Sequence, residues 1–106
     1  MKPGSKDRQA SILIAGLELK ELQRFDWMMA ETYGLDRRIT NYKGTRPIGL
    51  WRWDIDVLLA VIDDVVDDPE YYPTKGSPGH RAIQALRDRL QKEVEALIAE
   101  LRTLQR

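Results

Sequence analysis

From Ser77 onward the chain carries an unbroken helical pattern, and that pattern limits what the remaining residues are able to build. Ser77 followed by Pro78 is a helix start: a hydroxyl N-cap, then a residue whose missing N–H costs nothing in the first turn. At about 100° per residue, Ile83, Leu86, Leu90, Val94, Leu97, Ile98, Leu101 and Leu104 fall inside an arc of roughly 120°, the width of a core-facing stripe. Arg89, Lys92 and Glu100 lie outside it. No glycine or proline follows Gly79, and Asp88 stands one helical turn before Lys92, a mildly favourable spacing on an exposed face. The helix expected over 78–106 would be on the order of 40 Å long.

The apolar steps along this helix run three, four, four, three, four, three, close to a heptad seam with one stutter. Such a seam serves either as one face of an intramolecular bundle or as a coiled-coil-like dimerisation surface. Burying a large aliphatic side chain contributes roughly 1.5–3 kcal/mol, so the end from Leu97 to Leu104 requires an element of similar length along it. Arg87 is the one charged residue inside the arc. It either lays its stem on apolar neighbours with its head in water, or pairs with a carboxylate.

A chain of 106 residues reads as one domain, 7–106, after a lead-in at 1–6, and is small enough for oligomerisation to help it. Lys and Arg total 17 and so do Asp and Glu, so the formal net charge is zero and there is no bulk electrostatic pull toward nucleic acid or anionic lipid. With no cysteine and a single histidine, disulfide frameworks and the usual zinc constellations are excluded; no cofactor is expected. The apolar run Ile12–Ala15 is too short for a signal segment or a membrane span, which reads as a soluble, cytoplasmic protein.

Asp7 or Ser11 could cap a first helix. From Leu19, the residues Leu22, Phe25, Met29 and Tyr33 follow one face, and Gly34 with Leu35 reads as a C′ glycine and its hydrophobic follower. Before Leu19, the residues Ala10, Leu13, Ile14 and Leu17 form an arc turned about 120° from the later one, with Gly16 at the join. The expectation is one long helix bent at Gly16; the alternative is a short strand at Ile12–Ala15. Trp27 falls off the apolar arc, among polar residues, and is a candidate for burial by another chain.

Residues 36–51 show no helical period. Arg38 to Tyr42 is β-prone, Lys43 and Gly44 make a turn, and Thr45 to Leu50 returns with Pro47 confining it to an edge, so a short hairpin or ordered loop is expected. A second helix over 53–67, capped by Asp54, carries Ile55, Leu58, Leu59, Val61, Ile62, Val65 and Val66 on an arc wide enough to need cover from more than one side. It is about half as long as the last helix and cannot shelter that stripe alone. Tyr71, Tyr72 and Pro73 form a stiff turn, the tyrosines packing back on the bundle with their hydroxyls in water. His80, without a second ligand or nucleophile near it in sequence, reads as a surface residue.

Two constellations could carry chemistry. Asp56, Asp63, Asp64 and Asp67 share the polar arc of the second helix, at a C-terminus where negative charge opposes the dipole. They read as a solvated or salt-bridged face, or as oxygen ligands for magnesium. Together with Glu18 and Glu21 on the first helix, Asp64 and Asp67 resemble the paired acidic motifs of all-α nucleotide pyrophosphatases of the MazG type. That resemblance implies a magnesium-dependent hydrolase; it stops at these four positions, and the second pair lacks that pattern's glutamate. The other constellation is basic and aromatic: Arg37, Arg38, Tyr42, Lys43, Arg46, Trp51, Arg52 and Trp53. Cations with rings are what single-stranded nucleic acid binding uses. The bland reading is that the arginines neutralise aspartates while the tryptophans close the core.

The fold expected is all-α: a long bent helix, a short central helix and a long C-terminal helix. The function expected is a non-enzymatic adaptor or assembly subunit, a homo-oligomer built on Leu97, Ile98, Leu101 and Leu104 and presenting Trp27, the 37–53 excursion and the acidic face to a further protein. A nucleic-acid-associated protein using 37–53 is the alternative.

Overall fold

A computed structural model describes residues 9–29 and 34–104, save the side chains of Leu101 and Leu104. The lead-in, Asp7 and Tyr33 lie outside the described residues. In chain order the elements are β1 (Ala10–Ile12), α1 (Gly16–Gln23), a 3-10 turn (Asp26–Met29), α2 (Leu35–Asn41), β2 (Ile48–Leu50), α3 (Arg52–Val66) and α4 (Pro78–Leu104). The protein is thus mostly helical, but not the all-α bundle of three main helices that the periodicity predicts. A two-stranded antiparallel sheet joins β1 to β2, with Ala10 opposite Leu50 and Ile12 opposite Ile48.

The long bent helix is the first correction. Ala10, Ile12 and Ile14 are buried while Ser11 and Leu13 face out, an alternation of period two that suits a strand. Leu13 and Leu17, placed on one helical face by a period of 3.6, are both exposed. Gly16 then takes φ +58°, a left-handed conformation that turns the strand into α1 instead of bending a helix. After α1, the bonds Arg24 N–H to Glu21 O (3.2 Å) and Phe25 N–H to Leu22 O (3.1 Å) tighten the chain toward the 3-10 turn, keeping Phe25 and Met29 in the core.

The hairpin expected between residues 38 and 50 is the second correction. Residues 35–41 form α2, whose Leu35 and Ile39, one turn apart, are both buried. Gly34 is left-handed, φ +78°, as the sequence suggests, but Leu35 opens a helix instead of closing one. The α2 C-terminus is held from outside: Gln23 Nε2 donates to Ile39 O (3.0 Å) and Tyr42 O (3.1 Å). β2 therefore pairs with β1, not with residues 38–42.

α3 and α4 follow the sequence pattern closely. α4 starts at Pro78, with the His80 N–H donating to Ser77 Oγ (3.3 Å). α1 runs antiparallel to α4, since Glu21 lies against Gly79 while Arg89 donates to Leu13 O (2.6 Å) and pairs with Glu18. A Cβ at position 79 would lie 3.0 Å from the Glu21 carboxyl, so glycine permits this close approach. β1 precedes α1, β2 pairs with β1, and α3 begins directly after β2. The start of α3 therefore lies toward the α4 C-terminus, and α3 is also antiparallel to α4.

Between them these elements bury Ile83, Leu86, Leu90, Val94 and Leu97. The stripe is thus sheltered through Leu97 by α1 and α3 together, although α3 alone is too short. Arg87 pairs with Asp63 at 2.9 Å, which sets these turns of α4 and α3 side by side. Counting equal steps away from that pair brings Trp53, near the start of α3, level with Leu97. Residues 98–104 of α4 run past it by roughly 10 Å.

Candidate binding cleft

The first turn of α3 gathers the polar and aromatic groups that the core does not consume. Asp54, expected as the cap, stands inside the helix; the residue before the helix is Trp51, whose N–H donates to Asp54 Oδ2 at 3.0 Å. That same oxygen accepts from Arg38 Nη1 at 3.0 Å, while Arg38 Nη2 donates to Gly49 O at 2.5 Å. One guanidinium thus ties α2 to β2 and α3. Asp54 is fully buried, and its Oδ1 finds no hydrogen-bond donor among the described residues. Buried carboxylate oxygens are ordinarily satisfied, so this one is an unmet acceptor.

Trp51 and Trp53 lie on either side of Arg52 in sequence and stack, ring centroids 5.2 Å apart and planes 12° from parallel. Trp53 is 38 % exposed. Arg38, Trp51, Trp53 and Asp54 line a surface cleft of about 560 Å³. It offers a flat apolar platform beside a compensated ion pair.

Of the other basic and aromatic positions, Tyr42 is withdrawn: its hydroxyl donates to Arg46 O and accepts from the Ile14 N–H (3.4 Å). Arg37, Lys43, Arg46 and Arg52 are exposed. Among the described residues no ion pair holds them. Trp27, on the 3-10 turn, is 60 % exposed.

The acidic positions are dispersed. Asp56, Asp64 and Asp67 are exposed, and Asp63 is taken by Arg87. Glu18 pairs with Arg89 and Glu21 with Arg24 at 2.6 Å. Among the described residues no group of three or more His, Asp or Glu side chains could hold a metal ion, so Glu18, Glu21, Asp64 and Asp67 do not assemble the site their spacing resembles.

A second polar cluster went unread in the sequence. Glu21, Tyr72 and His80 are all buried, and Tyr72 donates its hydroxyl proton to Glu21 Oε1 at 2.8 Å. Burial, and then the bond to and charge of Glu21, push the Tyr72 phenol well above its ordinary value. The Tyr72 hydroxyl is therefore not in water, and His80 is not on the surface: its Nδ1 accepts the Gly76 N–H at 3.0 Å. Residues far apart in sequence supply this cluster, and neither spacing nor periodicity signals it.

No described helix is long and apolar enough to cross a membrane. Comparison with known protein families, with curated proteins and with solved structures finds no match to this chain.

Proposed function

We propose that the protein is a non-enzymatic assembly subunit that works as a homo-oligomer, joined through the C-terminal end of α4. The observation that carries this reading is the length of α4 against its cover. Its 27 residues lie against the 15 of α3 and the 8 of α1, and counting from the Asp63–Arg87 pair leaves residues 99–104 beyond α3. Ile98 is half-buried at the edge of the core, and the sequence continues the same stripe through Leu101 and Leu104. A second copy supplies a matching helix end, an isologous contact in which each stripe covers the other. Trp27 and Trp53 remain on the surface for a further protein, because large exposed aromatics serve as anchors where partners dock.

Light scattering on the purified chain tests the reading. A mass above the 12.3 kDa of one chain is expected at micromolar concentration, and Leu101→Asp should bring it down to that value. A folded monomer in the unaltered protein would overturn it.

A further inference from the structure

We infer that the cleft between the start of α1 and the Lys43–Gly44 turn is a docking site for an acidic segment of a partner protein, one that carries an aliphatic side chain between its carboxylates. Gly16, Leu17, Leu19, Lys20, Gln23 and Lys43 line it, around a volume of about 520 Å³, within the range of clefts that take up a small ligand. Its walls are held from both sides. A Cβ on Gly44 would lie 3.0 Å from Ile14 O and from Leu19 Cδ2, so glycine lets the turn press against the strand-to-helix corner. Gln23 Nε2, donating to Tyr42 O at 3.1 Å, holds the residue before Lys43. Leu17 is 41 % exposed, an apolar part of the lining that the described residues leave uncovered.

Charge selects the occupant. Lys20 and Lys43 are exposed; among the described residues no ion pair holds either of them and no acidic side chain lines the cleft. The two acids of α1 do not answer Lys20, because Arg89 engages Glu18 and Arg24 engages Glu21. The chain as a whole is neutral, so the attraction is local and acts on carboxylates at short range. No aromatic ring among the described residues lines the cleft, which leaves a nucleobase nothing to stack on. An anionic membrane is drawn by clusters of about four to eight cations, and the cleft supplies only Lys20 and Lys43. An acidic peptide supplies what the lining asks for, an aliphatic contact on Leu17 with carboxylates reaching the two lysines.

The experiment is a titration of the full chain, at low salt, with a fluorescein-labelled peptide of alternating glutamate and leucine, followed by fluorescence anisotropy. One control peptide replaces every glutamate by glutamine, and another every leucine by serine. Saturable binding is expected with the first peptide below millimolar concentration, and about tenfold weaker binding with either control. Lys20→Glu together with Lys43→Glu should weaken binding about tenfold, since two exposed ion pairs are lost and repulsion replaces them. Leu17→Ser should weaken it and Trp27→Ala should leave it. In the unaltered protein, the backbone N–H resonances of Lys20 and Lys43 and the side-chain amide of Gln23 should shift on peptide addition, a readout that needs no variant to fold. Absence of binding at millimolar peptide, equal binding of the glutamine control, or indifference to the double charge reversal would each overturn the inference. Binding of anionic vesicles or of an oligonucleotide in place of the peptide would overturn it too, as would salt-sensitive self-association that the double reversal abolishes, because the occupant would then be a membrane, a nucleic acid or a second copy.

Discussion

Tyr72 shows how much one buried hydroxyl does. Its bond to Glu21 links the turn before α4 to α1, and Glu21 in turn holds Arg24, whose guanidinium lies 5.3 Å from the Tyr72 ring centroid. A phenol pKa raised in the folded state contributes stability that is complete below the unfolded value near 10 and is lost as pH climbs toward the folded one. Tyr72→Phe should therefore lower stability by about 1.5–3 kcal/mol at neutral pH, the usual range for a hydrogen bond to a charged group. The gap between the two proteins should narrow above about pH 10. Urea unfolding of both proteins at about pH 8 and about pH 11 measures this; a constant gap would show that the phenol proton is not involved. Residues of this kind are hard to read from sequence. Tyr72 and Glu21 are 51 positions apart, and only the folded chain joins them. Asp54 is a partial exception: its place at the start of a helix is legible, but its burial and its tie to Arg38 are not, because they depend on α2.

Among the elements, those with long periods were legible and those with short ones were not. α4 and α3 repeat their apolar positions over several turns, enough to fix type and extent nearly to the residue. Ala10 to Leu17 offers only a few positions, and a run that short satisfies two periods at once. Pairing with β2 decides the outcome, and no local signal announces a partner nearly forty residues downstream. α2 escaped notice for a related reason, since seven residues provide only Leu35 and Ile39 as a face. Gly16 is the joint on which the first of these distinctions turns. A side chain there meets nothing within 4 Å, so Gly16→Ala should act through the backbone alone, costing about 1 kcal/mol because φ is positive. Thermal unfolding with far-UV circular dichroism tests it. A neutral substitution would mean that the strand-to-helix turn tolerates another conformation.

For the whole molecule, the decisive proportion is that of α4 to everything else. The principal extents are 46 × 25 × 25 Å, and α4, at roughly 40 Å, spans most of the long axis. The sequence already shows that the central helix cannot cover it. What the sequence does not show is that α1 shares the work with α3, because α1 is too short to be recognised singly. α4 continues beyond α3 at one end only, its C-terminus. If copies associate there, folding and association are linked, and the thermal midpoint should rise with protein concentration, whereas Leu101→Asp should make it independent of concentration. Differential scanning calorimetry over a hundredfold concentration range distinguishes the two; an invariant midpoint in the unaltered protein argues for an isolated chain.

The pairing of Ala10–Ile12 with Ile48–Leu50 also bears on the protein's birth. During synthesis the first strand leaves the ribosome with its hydrogen-bonding edge bare, and its mate is made seconds later. α4, against which α1 packs, comes later still. The N-terminal half must therefore wait, sticky and half-made, for the part of the chain that completes it.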